Sequence, residues 1–238
     1  PFVNDMEAPG MAHGALVFSE HPRARVLAIH TEEAAAMPGV IRILRAEDIP
    51  GERVLGLYAK DWPVYVKAGE ITRYIGDALA CVIAESEEEA RAAAARVRAD
   101  YEVLTPLLDM EEAEHSSIRI HERGNVLLDK SIRRGEPVDE ALSRCAFTAE
   151  AVYTTQAVEH AFLETEACLA LPEDGGVRLY VQSQGIWHDK ADIAALLRLP
   201  SPKVTVTLAD AGGAFGGKED FTCQPHAALG AYLLGRPV

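Results

Sequence analysis

The sequence predicts an α+β protein in which short strands and helices pack around one or two apolar cores. The composition, 48% hydrophobic and 25% charged residues, is ordinary for a globular chain that buries a core. Apolar runs of strand length alternate with alanine-rich or amphipathic stretches, and Gly and Pro separate them. The 238 residues suffice for one large domain or two modest ones.

Strand and helix signals alternate through residues 1–105, which we interpret as a first domain. Two strands are expected within 14–29, with further strands at 40–44, 78–84 and 101–104. Helices are expected at 32–37, with Thr31 as the N-cap, and from Ser86 to about residue 100. Glutamates in the first turn of the second helix favour that start, because they face the positive end of the helix dipole.

Residues 106–140 are mixed and acidic and contain Pro and Gly, which predicts an extended linker. A second domain is expected over 141–238, close to a short helix at 138–143. Its predicted strands are 147–155, 166–171, 177–182 and 204–208, and its predicted helices are 189–197 and 226–234.

Charge, apolar content and cysteine spacing disfavour several classes of function. The formal net charge is -14, with no large Lys/Arg cluster, so nucleic-acid binding is not expected. Neither a membrane span nor a signal peptide is expected, and we place the protein in the cytoplasm. The four cysteines include no CxxC pair, so we expect reduced, mostly buried thiols rather than a zinc or iron–sulfur site.

A glycine cluster at 212–217 is the sharpest local motif, since four of its six residues are glycine. Glycine permits positive φ and close approach of the backbone to a ligand. Gly212 to Lys218 fits the first seven places of a P-loop, but Glu219 stands where a Ser or Thr is needed. The spacing of a Rossmann GxGxxG motif is absent. An ordinary strand-to-helix turn is the alternative interpretation of the cluster.

Several motifs in order resemble the xanthine dehydrogenase and aldehyde oxidase family. The segment 213–218, Gly-Ala-Phe-Gly-Gly-Lys, is similar to the family loop that contacts the molybdenum cofactor. The other similar segments are 9–14, 38–40, 46–51, 82–85, 100–104, 159–160, 163–165 and 235–238. The resemblance implies an α/β hammerhead domain followed by the first part of a molybdenum-cofactor-binding domain.

The resemblance assigns residues to the cofactor site. Gln184 would sit beside the molybdenum, where its amide can donate a hydrogen bond, and Phe215 would narrow the pocket. Gly213, Ala214 and Gly216 would contact the cofactor, with the Gly216 amide approaching a ligand oxygen. Gln184 and Phe215 would lie near the metal without ligating it. The competing interpretation of Gln184 is a surface residue flanking a strand.

Glu219 matches the glutamate with which purine-oxidising members hold the heterocycle, although a solvated glutamate at a helix start is the alternative. Ala214 departs from the three consecutive glycines that many relatives carry before the phenylalanine, and this bears on substrate class. In the family, Glu159 and His160 support the pocket from behind, and His160 is expected to be buried rather than a metal ligand. Catalytic residues are unassigned, because the general base is expected beyond Val238.

The function implied is hydroxylation of a purine-like N-heterocycle of the xanthine or hypoxanthine type, with oxygen from water. Electrons would pass to iron–sulfur clusters and FAD on partner domains or subunits, in an oligomer. The sequence does not determine which form of the pterin is bound; the cytosine dinucleotide is one such form. An aldehyde or other N-heterocycle oxidoreductase, or a non-catalytic scaffold, are the alternatives. We expect this chain to be an inactive fragment on its own.

Overall fold

The computed structural model describes all residues from 1 to 238. Its strands are β1 His13–Phe18, β2 Ala24–His30, β3 Val40–Leu44, β4 Val54–Leu55, β5 Trp62–Pro63, β6 Ala78–Ala84, β7 Arg98–Val103, β8 Cys168–Glu173, β9 Gly176–Val181 and β10 Val204–Leu208. Its α-helices are α1 Glu32–Ala35, α2 Glu87–Ala94, α3 Met110–His115, α4 Val138–Ser143, α5 Ile186–Leu197 and α6 Gln224–Leu234. Residues 1–106 and 160–238 form one compact unit, and 107–159 form another.

Strand β6 is the centre of the first sheet, and all seven of its residues are buried. It pairs antiparallel with β1 on one side and with β3 on the other. Because successive side chains of a strand point to opposite faces, β6 serves two cores. Cys81 and Ile83 belong to the main core with Leu229 of α6, whereas Val82 packs with Ala93 of α2.

The second sheet has the order β10-β9-β8, with β9 in the middle. Strands β8 and β9 form an antiparallel hairpin, while β10 runs parallel to β9. Parallel neighbours need a crossover connection, and α5 supplies it. Leu179 of β9, Ile193 of α5 and Leu229 of α6 are fully buried in the same core. The crossover places the carboxyl ends of β9 and β10 at one edge of the sheet.

The unit at 107–159 contains the two short helices α3 and α4, neither of which buries a residue. Asp109 caps α3 by accepting a 2.9 Å hydrogen bond from the Glu112 amide. Asn125 accepts from the Ile120 amide. The strand predicted at 147–155 is wrong. These residues are exposed and form no ladder, and an apolar alternation makes a strand only where another strand takes up its backbone hydrogen bonds.

Tertiary pairing also overrides the predicted length of α2. Ser86 caps the helix as predicted, its hydroxyl accepting from the Glu89 amide, but the helix ends at Ala94 instead of about residue 100. Residues 98–103 pair with β2, and His30 lies 2.8 Å from Asp100 across this ribbon. A ladder with side-chain pairs outweighs the modest helix propensity of this stretch.

The remaining predicted elements are confirmed to within about three residues. The strands at 40–44, 78–84 and 204–208 and the helix at 138–143 have the predicted bounds. Helices α5 and α6 begin earlier than predicted, at Ile186 and Gln224. Thr31 occupies the N-cap position of α1 as predicted, although its side chain makes no capping hydrogen bond. None of the helices combines the length and the apolar character that crossing a membrane requires.

Replacing Leu229 with Ala should destabilise the main core. Leu229 is fully buried, and truncating such a leucine removes apolar contacts and leaves a cavity, a loss of about 2–5 kcal/mol in the free energy of unfolding. Leu127, which is 81% exposed, provides the control, for which Leu127→Ala should change stability by less than about 0.5 kcal/mol. Urea denaturation measures both, and equal effects would contradict this account of the core.

Candidate functional site

The glycine cluster and Gln184 meet at the edge formed by the carboxyl ends of β9 and β10. Gln184 lies three residues after β9, and the cluster follows β10. The Gln184 backbone amide donates to the Lys218 carbonyl at 2.9 Å. Its side-chain oxygen accepts from the amides of Gly216, at 3.0 Å, and Lys218, at 3.4 Å. With the oxygen engaged, the Nε2 amino group is the donor that Gln184 can offer to a ligand.

The loop at 212–217 is open on one side. Gly213 and Gly216 have φ of +98° and +88°, where L side chains are strained. A Cβ at Gly216 would meet nothing within 4 Å, so a ligand can approach the backbone there. Phe215 has a φ of +53° and is 74% exposed. A bulky residue in the left-handed region beside an open loop is typical of a functional site.

The other side of the loop lies against residues 160–164, which we call the strap. A Cβ at Gly212 would lie 2.5 Å from the Glu164 side chain, and one at Gly217 would lie 2.9 Å from His160 Nδ1. These glycines therefore permit close packing of loop and strap. The His160 ring stacks on Phe162, with 6.4 Å between ring centroids. His160 itself is exposed, so the prediction of a buried histidine is wrong: it covers the loop rather than filling a core.

A buried polar cluster beneath the loop was not predicted as part of the site. Lys218 is only 2% exposed, and its ammonium donates to the Glu164 carbonyl and the Gln182 side chain. Glu164 Oε2 in turn accepts from the Gly212 amide at 2.8 Å. The signal available in the sequence was the lysine that follows the glycines, but its partners lie 54 and 36 residues away. Glu219 is exposed at the same edge.

Burial also shifts titratable groups near this edge. Asp189, in the first turn of α5, is 2% exposed, and burial raises its pKa to about 6. Burial raises the pKa of the Cys223 thiol to about 12, so that thiol is a poor nucleophile. All four cysteines are unbridged; Cys81 is buried, Cys168 and Cys223 are partly buried, and Cys145 is exposed. No group of three or more His, Cys, Asp or Glu side chains is arranged to hold a metal ion.

The site residues named by the sequence thus divide into two groups. Gln184, Gly216 and Phe215 come together at the open face of the loop. The Gly216 amide donates to Gln184 in this structure, which engages the donor expected to approach a ligand oxygen. Gly213 and Ala214 lie in the same loop, partly exposed. Glu159 is exposed and has no role in this cluster.

Replacing Gln184 with Ala should loosen the loop. The Gly216 and Lys218 amides lose their acceptor, a net loss of about 1 kcal/mol per hydrogen bond, so their hydrogen exchange should accelerate roughly fivefold. Gln156, which is exposed, provides the control variant Gln156→Ala. Exchange rates measured by NMR that are equal in the two variants would show that Gln184 does not order the loop.

Asp189 should make stability depend on pH in a defined direction. Because its folded pKa is about 6 and its ordinary value is 3.8, the folded state retains a proton that the unfolded state loses. The free energy of unfolding therefore falls as pH rises from about 4 to 6, by roughly 3 kcal/mol at most. Asp189→Asn should remove this loss, whereas Asp139→Asn, at an exposed position, should keep it. Urea denaturation at pH 4 and pH 7 tests this, and the same pH dependence in both variants would refute it.

Comparison with known proteins is consistent across domains and structures. Residues 1–105 match the family described as aldehyde oxidase and xanthine dehydrogenase, a/b hammerhead domain, and residues 120–238 match the molybdopterin cofactor-binding domain. All of the chain aligns with a probable xanthine dehydrogenase subunit of Bacillus subtilis, at 34% identity over 32% of that protein. It also aligns throughout with the nicotinate dehydrogenase large molybdopterin subunit of Eubacterium barkeri, at 33% identity over 56% of that protein.

The structure superposes on the aldehyde oxidoreductase from Desulfovibrio gigas with a TM-score of 0.89, at 27% identity over 98% of this chain and 27% of that one. The α+β class, with a hammerhead domain and the beginning of a cofactor-binding domain, is confirmed. Molybdenum–molybdopterin is the cofactor that the second of these domains serves. The chain belongs to the xanthine dehydrogenase and aldehyde oxidase family of molybdenum-cofactor proteins.

Proposed function

We propose that this chain forms one wall of the active site of a molybdenum hydroxylase that oxidises a purine-like N-heterocycle with oxygen from water. The observation that carries the proposal is the meeting of Gln184, the open loop with Phe215, and exposed Glu219 at a single sheet edge. The proposal divides the chain into a hammerhead domain at 1–105, an extended linker at 106–140 and part of the cofactor-binding domain at 141–238.

The residues present suit an organic cofactor that carries its own metal. The loop offers an open backbone face at Gly216 and an exposed aromatic ring at Phe215. Gln184 offers an amide donor, and no cluster of side chains competes as a set of metal ligands. In this proposal Gln184, Gly213, Ala214, Phe215 and Gly216 contact the cofactor, and the metal is held by the cofactor instead of by these side chains.

When bound, the molybdenum cofactor supplies the redox chemistry and the water-derived oxygen. The chain's own residues then orient the cofactor and the substrate and enclose them. Gln184 would offer its Nε2 hydrogens to the cofactor, and Phe215 would form an apolar wall that lowers the local dielectric. Glu219 accepts a hydrogen bond from a ring N–H of the substrate and so fixes which carbon faces the metal. Iron–sulfur clusters and FAD on partner domains or subunits of a cytoplasmic oligomer would accept the electrons.

A second candidate is oxidation of an aldehyde or of a different N-heterocycle. Ala214 stands just before Phe215, at the end of a stretch that reads Ala-Gly-Gly-Ala, where many members of the family carry glycine. The similarity to the nicotinate dehydrogenase large molybdopterin subunit and to the aldehyde oxidoreductase gives this candidate specific support. Nicotinate carries a carboxylate, which a nearby Glu219 would repel, and this favours the purine-like substrate.

The discriminating experiment uses the full-length subunit that contains this chain, purified as holoenzyme. With Glu219→Gln, kcat/KM for xanthine should fall about 2- to 30-fold, because the amide oxygen still accepts the hydrogen bond but loses the charge, which contributes about 0.5–2 kcal/mol. Oxidation of a simple aldehyde should change less than about twofold, since it lacks the ring N–H. Asp220→Asn, at the adjacent exposed position, is the control.

Each outcome of that experiment assigns a function. Loss of xanthine activity in Glu219→Gln alone supports the purine-like substrate. A wild-type holoenzyme that oxidises aldehydes or nicotinate but not xanthine would replace it with the second candidate. A full-length subunit that folds without molybdenum or pterin would leave only a non-catalytic scaffold.

A further inference from the structure

Lys218 is a buried cation directly beneath an exposed loop. Its side chain is 2% exposed, whereas Phe215, three residues earlier, is 74% exposed. Burying an ammonium ion costs several kcal/mol unless its donors find partners. A lysine with no role would extend to solvent from such a loop, so its inward orientation calls for a physical explanation.

The surroundings of Lys218 satisfy the ammonium group. It donates to the Glu164 backbone carbonyl at 2.8 Å and to the Gln182 side-chain oxygen. Glu164 Oε2 lies 3.6 Å from Nζ, with its side chain only 7% exposed. The Phe162 ring lies 4.4 Å from Nζ, measured to the ring centroid, which adds a cation–π contact. The opposite charges of Lys218 and Glu164 therefore offset each other, while Glu164 Oε1 stays buried without a hydrogen-bond partner.

The same cluster ties the loop at both ends. At the start of the loop, the Gly212 amide donates to Glu164 Oε2 at 2.8 Å. At its end, Lys218 contacts Glu164 through its side chain and Gln184 through its backbone. Gln182, two residues before Gln184, is held in turn by donating to the Thr165 carbonyl at 2.8 Å. The Lys218 ammonium thus links Glu164, which holds the start of the loop, to Gln182, which lies beside Gln184 at its end.

We propose that Lys218 is a positioning residue, whose buried ammonium ion locks the loop at 212–217 and Gln184 into the conformation that receives the cofactor. Lys218 itself touches neither cofactor nor substrate: it acts through Glu164 and Gln182. The identity of the ligand rests on the proposed function above, but the ordering of the loop is a property of this chain and is testable without cofactor.

The test separates loop ordering from simple burial of charge. In this chain, Lys218→Met leaves the Glu164 carboxylate buried without its cation, which lowers the melting temperature and increases exchange of the Gly212 and Gly216 amides at least tenfold. In the double variant Lys218→Met/Glu164→Gln, no uncompensated charge remains, so the melting temperature should recover toward the wild-type value. The loop amides should still exchange at least tenfold faster than in wild type. Lys130→Met, at an exposed position, is the control.

Recovery of both melting temperature and slow exchange in the double variant would overturn the proposal, because Lys218 would then serve only to neutralise Glu164. The same double variant in the full-length holoenzyme should lower kcat per bound molybdenum at least tenfold, with KM for the substrate changed less than threefold. Unchanged kcat per molybdenum would also overturn it. If the wild-type subunit contains no molybdenum, the proposed function is refuted instead. The hydrogen exchange of the loop amides then decides whether Lys218 positions the loop.

Discussion

Parallel pairing of β9 with β10 determines the geometry of the candidate site. Parallel strands bring their carboxyl ends to the same edge, and here those ends carry Gln184 on one side and the glycine loop on the other. Helix α5 makes the pairing possible by returning the chain across the sheet, and its residues Ile193 and Leu197 bury the crossover in the main core. The amide contact between Gln184 and Gly216 exists because of this crossover, since the two residues are 32 positions apart.

The site combines features that would destabilise a protein if each stood alone. Phe215 adopts a left-handed conformation with its ring exposed, and Lys218 and Glu164 bury opposite charges a few residues away. The strained, exposed residue and the buried ions are linked through one short loop, so the hydrogen bonds of the buried Lys218 ammonium can hold the strained backbone above. Local order at the open face is thus maintained from the interior, while the face itself stays accessible.

Local patterns in the sequence were sufficient to predict those elements whose structure depends only on nearby residues. The apolar run of β6, the Ser86 cap of α2 and the glycine cluster could be located without knowledge of the fold, whereas Gln184 was assigned only through the family resemblance. Long-range partners decided the rest. Helix α2 stops at Ala94 because residues 98–103 pair with β2, and Lys218 turns inward because Glu164 and Gln182 meet it there. No pattern within a few residues of these positions contains that information.

The larger compact unit is assembled from two separate stretches of chain, 1–106 and 160–238. The segment 107–159 connects these stretches and forms a unit of its own. The two stretches contact each other directly: the Ala12 amide donates a hydrogen bond to the Pro237 carbonyl, and the Arg236 guanidinium forms an ion pair with Glu85. Ile83 of the first stretch also packs in the same core as Leu229 of the second. A protease that cleaves the connecting segment 107–159 would therefore leave two pieces that stay bound to each other by non-covalent packing. The same arrangement makes the two stretches natural halves of a split protein, able to reassemble without the peptide that connects them.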